Sequence, residues 1–102
     1  MNTITIGDAR RFSLAGVQHH DLVEQDDLRV TMLCFEAGQL DDMRDLDHSA
    51  VYQVLEGEAL VRAGDETERL GKGKLLTVPA GTEHRLENAG GGLLVVLAFT
   101  PR

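Results

Sequence analysis

The residue in this sequence best placed to do chemistry is His84. It lies in residues 73–88, which read GKLLTVPAGTEHRLEN. Leu75 to Val78 is a short apolar run suited to a buried strand. Pro79 ends it, because proline has no N–H for a sheet ladder. Pro79-Ala80-Gly81 reads as a tight turn in which glycine takes φ > 0. The chain then re-enters a strand carrying His84, with Leu86 and Asn88 on the same face. A rigid turn that aims one imidazole from a strand end can present a ligand group or a general acid/base.

The other candidates lie between Gly38 and Gly57. Alternation places Arg44, Leu46, Ala50, Tyr52 and Val54 on one face. His48 shares that face if no turn intervenes, but residues 47–49 read as a turn that leaves it at the rim. Arg44 could clamp a carboxylate with its planar fork. Its plainer role is to answer Asp42, Asp45 or Asp47. Tyr52 is either a polar handle or simple packing. His19 and His20 are adjacent, so on a strand they point to opposite faces and make a poor chelate. A solvated loop or edge is the expectation there. Cys34 reads as a small buried hydrophobe.

These residues need strands to position them. Leu28 to Ala37, Ala50 to Glu56, Glu58 to Ala63, Thr67 to Leu70, Leu75 to Val78 and Leu93 to Thr100 all read as strands. Thr3 to Ile6 and Arg11 to Gln18 are weaker candidates before them. Met32 and Cys34 are expected to face inward beside Tyr52. No stretch has sustained helical spacing. About eight short strands separated by regular turn signals predict a small antiparallel β-barrel.

Composition narrows the partners. The chain has 102 residues, enough for one domain with a thin core. Its net charge of −7 argues against nucleic acid and anionic membranes, which both want a basic patch. No apolar run approaches the roughly 20 residues of a membrane span. The start of the chain carries no signal-peptide pattern. A single cysteine makes no internal disulfide, so a cytoplasmic location is the default.

Residues 73–88 fill every position of G-x5-P-x-G-x2-H-x3-N, and in this the chain resembles the cupin family. The resemblance covers about Leu28 to Phe99. It implies an all-β cupin jelly-roll barrel enclosing a pocket, as a single domain over 1–102, with a core barrel at about 28–100 and N-terminal strands within 3–18. It also implies a homodimer, often with N-terminal strands exchanged.

The family's other motif is G-x5-H-x-H-x3-E-x6-G, whose two histidines and glutamate join the later histidine around a divalent metal. Here the glycines Gly38 and Gly57 stand at the right separation. The ligand positions hold Arg44, Leu46 and Ala50 instead. Leucine and alanine donate nothing to a metal, and arginine repels one. No conventional metal centre is expected. If a displaced one exists, its ligands would be His84, His48, Asp45 and Asp47.

The resulting expectation is a metal-free module that binds a small organic ligand with an anionic or hydrogen-bonding group, through Arg44, His48, Tyr52 and His84. Two other readings stand beside it. One is an enzyme using the displaced metal, or His84 as its acid/base. The other is a structural barrel filled by its own side chains.

Overall fold

The computed structural model describes all residues, Met1–Arg102, and contains eight strands. They are β1 (Gln18–Gln25), β2 (Leu28–Phe35), β3 (Ala50–Glu56), β4 (Ala59–Ala63), β5 (Glu66–Leu70), β6 (Leu75–Val78), β7 (Arg85–Glu87) and β8 (Leu94–Pro101). A five-stranded sheet runs β1-β2-β8-β3-β6, and a three-stranded sheet runs β5-β4-β7. Every pairing between strands is antiparallel. The predicted all-β jelly roll is the fold.

Successive side chains point to opposite faces of each strand. Ala50, Tyr52 and Val54 of β3 point between the sheets, as do Leu33 and Phe35 of β2 and Leu94, Val96 and Ala98 of β8. From the smaller sheet, Ala59, Val61 and Leu86 meet them. Each large side chain buried there contributes about 1.5–3 kcal/mol. The interior is thus largely filled by the chain's own side chains.

Met32 and Cys34 do not face this interior, contrary to expectation. They lie on the outer face of the large sheet with Val95 and Leu97, under Ala9 and Phe12. The run Leu28–Phe35 is apolar on both faces, so alternation alone could not choose between them. The N-terminal segment supplies the second cover. Burial pushes the Cys34 thiol up and leaves it a poor nucleophile.

The N-terminal strands expected within 3–18 are also corrected. Ile6–Ala9 is a short 3-10 helix, closed by Asp8 N–H donating to Thr5 O at 3.0 Å. The first strand begins only at Gln18, pairing with β2 across a two-residue turn at Asp26-Asp27. Its sequence QHHDLVEQ is polar and carries a bulge between Asp21 and Val23. It is an edge strand whose weak alternation hid it.

Gly57 follows a bulge in the β3–β8 pairing, between Val54 and Glu56. It has φ of 81°, and a Cβ there would lie 2.4 Å from Leu93 O. Only glycine fits both demands.

Candidate functional site

The segment 38–46 has no strand of its own, yet it completes the small sheet. Arg44 and His84 exchange both backbone hydrogen bonds, at 2.7 and 2.9 Å. Asp41 N–H donates to Leu86 O at 3.0 Å, and Gly81 N–H to Leu46 O at 2.8 Å. The two motif segments therefore lie side by side. The Pro79–Thr82 turn closes through Thr82 N–H donating to Pro79 O, with Gly81 at φ of 79°, as the sequence required.

This turn aims His84 inward, where it is 1% exposed. Its Nδ1 lies 2.8 Å from Thr82 O, and a carbonyl can only accept, so Nδ1 carries the proton. Nε2 then accepts from the Tyr52 hydroxyl at 2.7 Å. The rings meet edge to face, with centroids 5.6 Å apart. Tyr52 is itself fully buried. That burial raises the hydroxyl's pKa; the charge of Arg44 pulls it down, and Asp41 opposes that pull. Both imidazole nitrogens are engaged.

Arg44 does not reach into an open pocket. Its Nε and Nη2 both donate to Asp41 Oδ2, at 3.2 and 2.8 Å. The partner is Asp41, not Asp42, Asp45 or Asp47. Asp41 Oδ1 meets His19 Nε2 at 2.8 Å. Burial would raise the Asp41 pKa, but the hydrogen bonds from His19 and Arg44, with their charges, take it down to about 2. His20 points the other way, with Nδ1 3.1 Å from Ala9 O. The two histidines do diverge, and β1 is an edge as expected. His19, however, has a structural partner that the sequence did not reveal. The link crosses 22 positions and carries no local signal.

His48 lies at a bend, with Nδ1 3.2 Å from Ser49 O, and Asp45 and Asp47 are exposed. No three His, Cys, Asp or Glu side chains converge on a common point. The donors therefore do not fit a cupin metal, either at the family positions or as the displaced set His84, His48, Asp45 and Asp47. An ion at His84 would also have to displace the Tyr52 hydroxyl.

Asn88, the last motif residue, is a staple. Its Nδ2 donates to Glu36 O at 3.1 Å and Gly92 O at 2.8 Å, and its Oδ1 accepts from Gly90 N–H at 3.2 Å.

One pocket touches His84. It holds about 140 Å³ and is walled by Val61, Leu76, Val78, Pro79 and Thr82, with His84 in its floor. Glu66 and Glu68 stand on its β5 side. Arg44, His48 and Tyr52 line none of the molecule's pockets. The expected four-residue ligand site is thus divided. His84 touches this pocket, Tyr52 lies behind it, Arg44 is bound to Asp41, and His48 is apart.

Two facing antiparallel sheets, with the motif histidine aimed between them, define a jelly roll of the cupin class. The chain belongs to the cupin family: it matches the Cupin_2 family model, a cupin domain, over residues 31–100. It is 30% identical over 74 residues to an uncharacterized protein of Streptomyces coelicolor, covering 72% of this chain and 70% of that one. It superposes on the TT1209 protein of Thermus thermophilus with a TM-score of 0.91 at 23% identity, covering 100% of this chain and 99% of that one. A RmlC-like cupin protein from Desulfovibrio desulfuricans gives a TM-score of 0.82 at 21% identity, covering 98% and 96%. At these identities the structural matches speak for the fold. No helix is long and apolar enough to cross a membrane.

Proposed function

We propose that this cupin-domain protein is a metal-free binding module that takes a compact organic ligand in the pocket beside His84. The observation that carries the reading is the pocket itself. Its 140 Å³ is close to the volume of a cavity that holds one benzene ring, roughly 150 Å³. Val61, Leu76, Val78 and Pro79 would receive an apolar body. Glu66 and Glu68 favour a cationic or hydrogen-donating head over the anionic one expected from Arg44, which Asp41 already occupies.

Paired probes of one size test this. Benzylamine should shift the amide resonances of Ala63, Val78 and Thr82 saturably, and benzoate should not shift them. If neither probe does so at millimolar concentration, the pocket is not a ligand site. Stoichiometric Fe, Mn, Ni or Zn in untagged, chelator-free protein would overturn the metal-free part.

Acid/base catalysis at His84 is the second reading, favoured by the Tyr52 hydroxyl held on Nε2 at 2.7 Å. A proton could pass between the two groups. Loss of any detected turnover in His84→Ala, with binding to the pocket retained, would support it over plain binding.

Self-association as a homodimer is part of the same proposal. A shallow apolar groove of about 350 Å³ runs between Ile4 and Ile6 and the outer residues Leu22, Val30 and Phe99. Ile4 and Ile6 remain exposed there. Sedimentation of a monomer at high micromolar concentration would refute it. Cys34, single and buried, suits a reducing compartment, so a cytoplasmic location remains part of the proposal.

A further inference from the structure

The outer face of the three-stranded sheet carries a second cluster that the interior does not use. Arg62 of β4 stands directly opposite Arg85 of β7. It is the one like-charge pair set face to face in the ladders of either sheet. Directly opposed side chains start about 5 Å apart, and like charges there repel. One carboxylate answers both: Glu87 Oε1 accepts from Arg62 Nε at 3.1 Å, and Oε2 lies 3.9 Å from Arg85 Nη2. The Nη groups of Arg62 and Arg85 make no hydrogen bond within the chain, and Arg85 Nε is buried without a partner.

These groups line an open depression of about 400 Å³, completed by Met43, Gly64 and Glu83. Met43 is half exposed, as is Leu40, which pairs with Glu87 on the same face. Arginine forks and an apolar flank belong together where a carboxylate with a hydrocarbon tail is recognised. Glu83 in the lining and Glu87 between the two arginines are the opposing charges, and both limit the affinity of the depression for anions.

We propose that Arg62 and Arg85 form an anion site on this outer face, for a small organic acid whose apolar body lies on Met43. The site is separate from the His84 pocket, so either can fail alone.

The test is a titration of the whole chain with acetate and with hexanoate, followed through the amide resonances of Met43, Arg62 and Arg85. Hexanoate is expected to shift them saturably and to bind several-fold more tightly than acetate. Arg62→Gln and Arg85→Gln should each weaken hexanoate binding by about tenfold or more. Arg62→Lys, which keeps the charge and loses the fork, should also weaken it. Glu83→Gln should tighten it, and Met43→Ser should bring hexanoate down to the level of acetate. Absence of a saturable shift at tens of millimolar overturns the site. So does binding that persists in both glutamine variants, or equal binding of the two acids to the wild-type protein.

Discussion

The Tyr52 hydroxyl lies 2.7 Å from His84 Nε2, with both residues buried between the sheets. The motif histidine therefore ends on a phenol of its own chain. Removing that phenol strands a buried acceptor. Tyr52→Phe should destabilise the fold by about 1–3 kcal/mol, read from the midpoint of urea unfolding at constant m. A double variant with His84→Leu should recover part of this, since it removes the stranded partner. Strict additivity of the two losses would show that the bond contributes nothing.

Asp41 contributes stability that acid removes. Its pKa of about 2 in the fold lies below its ordinary value of 3.8. As pH falls, the unfolded chain takes up the proton first, so stability is complete above the ordinary value and lost on the way down to about 2. The amount is about 2 kcal/mol, since each pKa unit is about 1.4 kcal/mol. Denaturant unfolding at stepped pH from about 6 to 2.5 should show this slope. Asp41→Asn should be less stable at neutral pH and should lack that contribution. An unchanged acid slope in the variant would refute the assignment.

Gly57 joins β3 to β4 with positive φ, beneath the Leu93 carbonyl. Gly57→Ala combines a left-handed backbone cost of about 1–2 kcal/mol with a clash against the backbone. A loss of more than about 2 kcal/mol is expected in thermal or urea unfolding. By contrast, Gly64→Ala has open space around it and should show only the backbone cost.

Asn88 holds two carbonyls and one amide from its own side chain. Asn88→Ala should cost about 2–3 kcal/mol and speed hydrogen exchange at the Gly90 amide. If exchange at Gly90 were unchanged, the staple would not be the source of order in the 89–92 loop.

Much of the architecture was readable along the chain. The alternation in Ala50–Glu56 placed Tyr52 and Val54 inside, and Pro79 with Gly81 specified the turn that aims His84. These features are local, since period-two side-chain direction and proline and glycine backbone limits act within a few residues. The same locality explains the errors at Leu28–Phe35, where both faces are apolar, and at Gln18–Gln25, whose polar edge sequence shows little alternation.

What the sequence determined by itself is the barrel, the turn at residues 79–82 and the presence of arginine, leucine and alanine at positions 44, 46 and 50. Only the tertiary structure decided what His84 and Arg44 meet. Tyr52 and His84 are 32 positions apart, and Asp41 joins Arg44, a near neighbour, to His19, a distant one. Such bonds depend on the register between strands far apart in the chain, and the residue types alone allow many pairings. Folding chose the arrangement in which every buried polar group of this cluster meets another, because a single unsatisfied one would cost about 1–3 kcal/mol.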